Sequence, residues 1–360
     1  MMRWVAFDQM EKFMHDVFVA AGLPEADAAV VTDVLLESDR RGIDSHGVGR
    51  LKPFYIDRIR DGIISPVTQI DVVREGPTTA VLDANNGMGH VAGKYAMQMA
   101  IDKAHELGLG MVAVRNSNHY GIAGYYTMMA AKQGMVGMTG TNARPSIAPT
   151  FGVENMLGTN PLTFAMPSDE DFPFVFDSAT SIAQRGKIEV YNRLGKALPE
   201  GWVIGSDGQT RSDADGVLRD LLTGNAALAP LGGIGEELGG YKGYGYATVV
   251  EILSAALQGG SFLKALSGLQ DGKKVPHHLG HFFLAIDIEA FTDLESFKRT
   301  TGEILRELRA SRKVPGQDRI YTAGEKEHLA WLYRRDRGIP LPEALEKDIT
   351  QLEEWYGIKL

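Results

Sequence analysis

The 360-residue chain contains no cysteine. This absence excludes disulfide bonds, thiolate metal sites and cysteine nucleophiles. A protein without disulfides is compatible with a reducing cytosol. The first 22 residues are interrupted by Asp8, Glu11, Lys12, His15 and Asp16, so they lack the apolar block of a signal peptide. We therefore expect a cytoplasmic protein.

Long apolar runs and excess positive charge are also missing. No uncharged apolar run reaches the length that a membrane span needs, so we expect no membrane partner. Lys and Arg number 37 against 46 Asp and Glu, a formal net charge of −9. Nucleic-acid surfaces normally carry a basic face, so we expect no nucleic acid either. The remaining composition, 44% hydrophobic and 23% charged, is that of an ordinary globular protein long enough for two domains.

Two glycine-rich segments resemble known phosphate-binding motifs without matching them fully. Gly87 to Gly93 reads GxGxxxG, but it lacks the preceding buried strand and the later acidic residue of a Rossmann fingerprint. We interpret it as a glycine turn that caps a helix. Gly232 to Gly245 contains seven glycines and Lys242 without the GxxxxGK[ST] pattern. Its amides and Lys242 can wrap a diphosphate, but a flexible surface loop fits the spacing equally well.

Apolar periodicity predicts helices at both ends of the chain and an α/β middle. Helices are expected from Phe7, from Pro24 and from an N-cap at Asp44 through to Gly62. Short strands dominate from Gln69 onwards, and the tail beyond residue 292 is again helical. We therefore predict an α/β (α+β) fold in which residues 1–74 and 292–360 form a helical domain around an inserted α/β domain of residues 75–291.

The segment Asp44-Ser45-His46-Gly47-Val48-Gly49-Arg50 carries the clearest candidate chemistry. In the predicted helix, His46 and Arg50 lie four residues apart on one face. An imidazole transfers protons near neutral pH, and a guanidinium binds a carboxylate through two parallel hydrogen bonds. This pair fits an enzyme acting on an oxygen beside a carboxylate, as in a 2-hydroxy or 2-oxo acid. A surface helix carrying both residues by chance is the alternative.

A second group of histidines invites a metal interpretation. His277, His278 and His281 stand close together before an apolar strand, and three histidines can bind zinc. No carboxylate or other ligand lies near them in the sequence. We therefore expect no metal site.

Five motifs in order make the chain resemble the type 2 malate/L-lactate dehydrogenases, nearly end to end. They are Asp44-Ser45-His46-Gly47-Val48, Asn116-Ser117-Asn118-His119-Tyr120-Gly121, Leu157-Gly158-Thr159-Asn160-Pro161, Asp177-Ser178-Ala179-Thr180-Ser181 with Arg185-Gly186-Lys187, and Tyr241-Lys242-Gly243-Tyr244-Gly245. The resemblance implies that the inserted domain binds NAD or NADP on a mostly antiparallel sheet without a Rossmann fold. It also implies a homodimer or higher homo-oligomer.

The resemblance assigns roles to individual residues. His46 matches the catalytic histidine, and His119 matches a second histidine that takes the proton-transfer role in some relatives; we rank His46 first. Arg50 is expected to hold the substrate carboxylate. Asp177 matches a carboxylate associated with the histidine or the cofactor. The expected cofactor contacts are Asn142, Arg144, Ser146, Thr159, Asp177, Ser178, Ala179, Thr180, Ser181, Lys242, Gly243, Gly324 and Glu325, the last two in an Ala-Gly-Glu segment where the family usually has Pro-Gly-Glu.

The implied activity is hydride transfer between NAD(P) and a small 2-hydroxy or 2-oxo acid, with malate or L-lactate as leading substrates. A ketimine reductase acting on a cyclic imino acid is one alternative, and a ureidoglycolate or sulfolactate dehydrogenase is another. A non-catalytic protein that kept the scaffold as a small-molecule binder belongs to a different class. The intact set of His46, Arg50, His119 and Asp177 argues against it.

Overall fold

The computed structural model describes residues 3–360. The helices in this range are α1 Phe7–Ala20, α2 Glu25–Arg40, α3 Asp57–Arg60, α4 Gly89–Leu107, α5 Gly124–Lys132, α6 Arg185–Arg193, α7 Ala214–Thr223, α8 Gly240–Ala255, α9 Leu294–Ala310, α10 Glu325–Arg334 and α11 Glu343–Tyr356. The strands are β1 Arg3–Val5, β2 Asp71–Glu75, β3 Thr79–Asp83, β4 Leu109–Ser117, β5 Met135–Thr141, β6 Leu162–Met166, β7 Phe174–Ser178, β8 Val203–Gly205, β9 Ala226–Leu228, β10 Leu269–Gln270, β11 Lys273–Lys274, β12 Leu279–Asp287 and β13 Ile339–Leu341.

A seven-stranded sheet forms the centre of the molecule, in the order β2-β3-β4-β12-β5-β6-β7. Only β3 and β4 run parallel; the other neighbours are antiparallel. Strand β12 lies in the middle and is apolar on both faces, since helices cover the sheet on either side. The predicted mostly antiparallel, non-Rossmann fold is confirmed.

The two chain ends share one hydrophobic core. Met10, Phe13 and Phe18 of α1 pack in the same cluster as Ile349 and Leu352 of α11. Strand β1 pairs antiparallel with β13, which joins the ends directly. Helix α9 makes different contacts, because Arg306 and Arg309 form ion pairs with acidic residues of the 168–172 turn that precedes β7. The domain boundaries themselves stay a prediction.

The predicted helix from Asp44 to Gly62 is largely wrong. Residues 44–47 form turns, Val48–Arg50 is a 3₁₀ turn, Leu51–Ile56 is a π-helical turn, and regular α-helix is limited to α3. Gly47 has non-helical angles of φ −91° and ψ −143°, and a side chain there would collide with the Asp39 carboxylate. Pro53 also disrupts the regular hydrogen-bond pattern, because it has no N–H to donate.

The middle of the chain differs from the prediction in two places. Helices α6 and α7 and the small sheet of β8 and β9 were not predicted. Helix α8 begins at Gly240, so the second half of the glycine-rich segment is helical and not a loop. Side chains at Gly240 and Gly243 would collide with backbone atoms of Gly233 and Leu231. Glycine is therefore retained for close packing despite its poor helix propensity.

The other glycine segment behaves as interpreted. Helix α4 begins at Gly89, and a side chain there would collide with the backbone carbonyl of Asn118. The Asn118 amide donates to the Gly87 carbonyl at 2.9 Å. This turn therefore supports the segment that carries His119. Within residues 3–360, no helix is long and apolar enough to cross a membrane.

Candidate active site

A cleft of about 400 Å³ opens beside the central sheet, where several predicted site residues meet. Its walls come from the loop after α2, the segment between β4 and α5, the edge of β7 and the start of α10. The lining residues include Arg41, Ile43, Ser45, His46, His119, Tyr120, Gly121, Ile122, Met128, Asn142, Thr159, Val175, Asp177, Ala179, Gly324 and Glu327.

His46 and His119 form a stacked pair at this cleft. Their ring centroids lie 5.7 Å apart with an interplanar angle of 24°. His46 comes from the irregular loop after α2, and His119 follows the end of β4. The Ser45 hydroxyl lies 2.8 Å from His46 Nδ1. Two imidazoles that the sequence separates by more than seventy residues thus face one space.

The loop that carries His46 is held by the buried carboxyl group of Asp39. Asp39 is 1% exposed, and its Oδ2 accepts a hydrogen bond from the Val48 N–H at 2.8 Å. Burial raises the pKa of Asp39 to about 8, so the group is largely a neutral acid at pH 7. From α10, Arg334 donates to the Asp39 carbonyl and to both carboxylate oxygens of Asp44.

His119 is anchored by one nitrogen. The Tyr55 hydroxyl lies 2.7 Å from His119 Nδ1, and the Gly121 N–H approaches the same nitrogen at 3.3 Å. Tyr55 is fully buried, which raises its pKa, so the hydroxyl stays protonated. Because Nδ1 is engaged by the protein, Nε2 is the nitrogen left for a ligand.

Both histidines are neutral at pH 7. Burial, and then the charge of Arg50, lowers the pKa of His46 to about 4. Burial also lowers the pKa of His119 well below its usual value, and His46 adds to this effect. An anionic ligand beside the rings works in the opposite direction, since a nearby negative charge favours the protonated imidazole.

Arg50 lies near the histidines, though not on a shared helical face as predicted. Its guanidinium is 4.5 Å from the Phe54 ring centroid, and that ring meets His119 edge-on at 5.3 Å. Its Nε donates to the Ser45 carbonyl. Within residues 3–360, no acceptor binds the outer nitrogens of Arg50, which leaves the fork that recognises a carboxylate available.

Asp177 lines the same cleft but contacts neither histidine. Its Oδ2 accepts from the Gly124 N–H at 2.7 Å, and its Oδ1 accepts from the Thr163 hydroxyl at 3.0 Å. Burial raises the pKa of Asp177. Of the two roles expected for it, a direct bond to a catalytic histidine is therefore not made. The partners of the histidine rings are the hydroxyls of Tyr55 and Ser45 instead.

Five expected cofactor residues line the cleft, namely Asn142, Thr159, Asp177, Ala179 and Gly324. The Asn142 amide is already engaged, since it donates to the Ser261 carbonyl and accepts from the Gly280 N–H. The other expected residues lie outside this lining: Arg144, Ser146, Ser178, Thr180, Ser181, Lys242, Gly243 and Glu325. Their contact with a cofactor stays a prediction.

Several of these outer residues have identifiable local partners. The Thr180 hydroxyl donates to the Asn160 carbonyl at 2.9 Å, and the Ser178 hydroxyl donates to the Ala179 carbonyl at 3.0 Å. Glu325 is 2% exposed, and its carboxylate is bound by Arg319 and by the Thr322 N–H. The carboxylate of Glu325 thus anchors the start of α10, while Glu327 faces the cleft.

The three later histidines do not form a cluster of ligands. His281 is buried in β12, with its two ring nitrogens 2.7 Å from the Thr141 hydroxyl and 2.8 Å from the Ser117 hydroxyl. His277 places Nδ1 3.0 Å from the Leu266 carbonyl. Among residues 3–360, no group of three or more His, Asp or Glu side chains is arranged to hold a metal ion.

Residues 5–350 match the family model described as malate/L-lactate dehydrogenase. The chain belongs to this family. It is therefore an oxidoreductase that acts on a small hydroxy acid. It is 46% identical over 353 residues to a malate dehydrogenase of Pyrococcus abyssi, covering 98% of this chain and 94% of the relative.

Solved structures and further relatives agree with this assignment. The crystal structure of malate dehydrogenase from Entamoeba histolytica superposes with a TM-score of 0.96 at 45% identity, covering 100% of this chain and 99% of that chain. An L-sulfolactate dehydrogenase of Methanocaldococcus jannaschii is 36% identical and covers 97% and 96% of the two chains. A ureidoglycolate dehydrogenase of Escherichia coli, named as an NAD+ enzyme, is 30% identical. A (2R)-3-sulfolactate dehydrogenase of Chromohalobacter salexigens, named as an NADP+ enzyme, is 31% identical.

The cleft fits a nicotinamide nucleotide. Ile122, Met128 and Val175 provide apolar surface for a flat ring, and their side chains are nearly fully buried. Thr159 and Asp177 provide polar groups beside that surface, suited to an amide or to ribose hydroxyls. The two histidines line the same cleft.

Proposed function

We propose that the protein is an NAD(P)-dependent malate dehydrogenase that interconverts malate and oxaloacetate. The stacked pair of His46 and His119, beside the free guanidinium of Arg50, carries this proposal. Relatives named malate dehydrogenase at 46% and 45% identity support malate over lactate. Either coenzyme is compatible with the family, since relatives named for NAD+ and for NADP+ occur in it.

The residues that would hold the cofactor are those with apolar or hydroxyl-binding surface in the cleft: Ile122, Val175, Thr159, Asp177 and the backbone at Gly324. The bound nicotinamide supplies a hydride acceptor or donor. The protein supplies position, exclusion of water and a proton-transfer group.

His119 is proposed as the proton-transfer group, which reverses the order expected from the sequence. Its ring is more firmly held than that of His46, by the buried Tyr55 hydroxyl at Nδ1. In oxidation, the ring removes the proton of the substrate hydroxyl, while the Tyr55 hydroxyl at Nδ1 holds the ring in its orientation. In reduction, the protonated ring returns that proton to the carbonyl oxygen. Binding of the anionic acid raises the pKa of the ring toward the working pH, because it places negative charge beside it.

His46 and Arg50 are proposed to orient the substrate. Arg50 binds the carboxylate next to the reacting carbon through two hydrogen bonds. His46 stacks against His119 and presents its Nε2 to the cleft, because its Nδ1 faces Ser45. This arrangement turns one face of the reacting carbon toward the nicotinamide, and such positioning contributes several kcal/mol.

A substrate panel tests the proposal. NADH and NADPH oxidation would be measured with oxaloacetate, pyruvate, 3-sulfopyruvate and a cyclic imino acid at equal concentrations. We expect the highest kcat/KM with oxaloacetate. A higher kcat/KM with pyruvate or with the cyclic imine would contradict malate dehydrogenase activity, and an inert protein across the whole panel would favour a non-catalytic binder.

A homo-oligomer and a cytoplasmic location complete the proposal. Helix α8 exposes Tyr241, Tyr246, Val249 and Ile252, next to an exposed Phe262. Contiguous apolar surface of this kind usually marks a protein interface, and we propose a second copy of this chain as its occupant. Light scattering should give a dimer or larger assembly, and Val249→Lys should shift it toward the monomer. A wild-type monomer would contradict the assignment.

A further inference from the structure

We propose that Arg58 binds the second anionic group of the substrate, the charge that distinguishes malate and sulfolactate from lactate. The inference rests on the proposed function and specifies which residue selects a dianionic acid. Arg58 lies at the start of α3, eight residues after Arg50 and outside the motifs that carry the family resemblance.

Arg50 and Arg58 share a single aromatic ring. Their Cζ atoms lie 4.5 Å and 4.4 Å from the centroid of Phe54. The two guanidinium groups are consequently no more than about 9 Å apart. Because Phe54 itself meets the His119 ring at 5.3 Å, both positive charges stand beside the proposed proton-transfer group.

Arg58 has no acidic partner in the described part of the chain. Its side chain is only partly exposed, yet no carboxylate lies within ion-pair distance and no acceptor takes its N–H groups. Burial and the positive charges of Arg144 and Arg50 lower the pKa of Arg58. Other arginines of similar burial differ, since Arg41 pairs with Glu37 at 2.7 Å and Arg334 pairs with Asp44.

Arg50 also lacks an ion-pair partner among the described residues, although its Nε donates to the Ser45 carbonyl. The acidic residue that acts on it is Glu189, which is itself paired with Arg185 at 3.1 Å. Two partly buried cations without bound counter-ions are unfavourable in the empty protein. A ligand that carries two negative charges removes that penalty, whereas a single carboxylate relieves only one of the two.

A separation of at most about 9 Å between the guanidinium groups accommodates a four-carbon dicarboxylate or a three-carbon sulfonate. A bidentate guanidinium holds its carboxylate carbon at about 4 Å, and the two carboxylate carbons of malate are themselves about 4 Å apart. A dianion can therefore contact Arg50 with one end and Arg58 with the other while its central oxygen meets His119. Lactate and pyruvate leave Arg58 without a partner, which selects against them.

Kinetics of the Arg58→Gln variant test this assignment. We expect the KM for oxaloacetate to rise by about 10- to 100-fold with kcat largely kept, because one charge-assisted contact is lost. The KM for pyruvate should stay within about twofold. Arg58→Lys keeps the charge without the fork and should retain part of the preference for oxaloacetate. Arg60→Gln is the matched control, since Arg60 stacks on Trp355 at 3.6 Å and should leave both substrates unchanged.

Binding without turnover provides a second readout. Succinate and propionate are malate and lactate without the hydroxyl, and their dissociation constants would be measured by calorimetry on wild type and on Arg58→Gln. We expect tighter binding of succinate by the wild type, and loss of that advantage in the variant. Equal weakening of succinate and propionate would overturn the assignment.

The two proposals fail in different ways. A wild-type enzyme that prefers pyruvate over oxaloacetate contradicts the proposed function and, with it, the role of Arg58. A wild-type enzyme that prefers oxaloacetate, together with an Arg58→Gln variant that keeps this preference, contradicts only the role of Arg58.

Discussion

The fully buried His281 and the partly exposed pair of His46 and His119 differ in which ring nitrogens remain free. His281 in the sheet has a hydroxyl within hydrogen-bond distance of both nitrogens, and its ring stacks on Tyr120 at 4.5 Å. His46 and His119 each have a single nitrogen engaged by a hydroxyl and face a cleft with the other. Burial lowers the pKa in both groups, so a perturbed pKa does not separate a structural histidine from a reactive one. We propose that a free ring nitrogen facing a cleft is the feature that distinguishes a reactive histidine.

The largest expected effect comes from removing the reactive nitrogen. His119→Asn should lower kcat for oxaloacetate reduction by about 100-fold or more, because proton transfer by a positioned group contributes that much. His46→Asn should lower kcat less than His119→Asn does, and its main effect should be a higher KM. Steady-state kinetics on both variants make the comparison. An equal or larger kcat loss in His46→Asn would return the main role to His46.

The loop that carries His46 should be the next most sensitive feature. Asp39→Ala leaves the buried Val48 N–H without an acceptor and should cost about 2 kcal/mol of unfolding free energy, with a lower kcat/KM. Asp39→Asn keeps an acceptor and matches the neutral acid present at pH 7, so it should retain most of both properties. Urea unfolding measures the stability of each variant, and steady-state kinetics measure its kcat/KM. Equal damage in the two variants would contradict a neutral Asp39.

The structural histidine should affect stability more than catalysis. His281→Phe removes the partner of the Thr141 and Ser117 hydroxyls, and we expect a loss of about 1–3 kcal/mol in unfolding free energy. The kcat of the folded variant should stay within about threefold of wild type. A kcat loss matching that of His119→Asn would remove the distinction between the two groups.

A fourth comparison concerns acid stability. The pKa is lowered to about 4 in His46 and to about 3 in His90 and His281, so below pH 6.5 the unfolded chain binds protons that the folded protein does not. Stability is thus fully present above pH 6.5 and is lost as the pH falls toward these values, on the order of 2 kcal/mol for each histidine between pH 7.5 and pH 5. Urea unfolding at the two pH values measures the change.

Asp39 acts in the opposite direction over the same interval. Its folded pKa is raised to about 8, so its contribution is largest below pH 3.8 and declines as the pH rises through 8. The Asp39→Asn background removes this contribution. In that background, equal stability at pH 7.5 and pH 5 would contradict the neutral burial of the histidines.

The sequence predicts the residues that belong to compact motifs. His46, His119 and Asp177 stand in short segments whose order along the chain is specific, and the structure brings all three to one cleft. Most helices and sheet strands also follow from periodicity, because α1 and α2 bury one face and the strands carry β-branched or aromatic residues. One kind of exception is a segment in which tertiary packing requires glycine or proline, as at Gly47, Pro53 and Gly240. The other exceptions are α6, α7, β8 and β9, which periodicity did not predict.

The residues that support the site cannot be recognised from the local sequence pattern. Tyr55 and Phe54 read as ordinary core aromatics, and their contact with His119 depends on how the loop after α2 turns. Asp39 lies in the last turn of α2, where acidic residues are common on solvated faces. Arg58 is one of four basic residues between positions 50 and 60. Only the structure distinguishes Arg58 from Arg60, because Arg60 packs on Trp355 rather than on Phe54.

The pH dependence of kcat/KM for malate oxidation tests the central claim most directly, because it reports the ionisation of the free enzyme's base. With His119 as the base, the wild type should lose activity only at acidic pH, with an apparent pKa below 6.5. This acid limb should persist in His46→Asn and vanish in His119→Asn. An unchanged acid limb in His119→Asn would contradict the account.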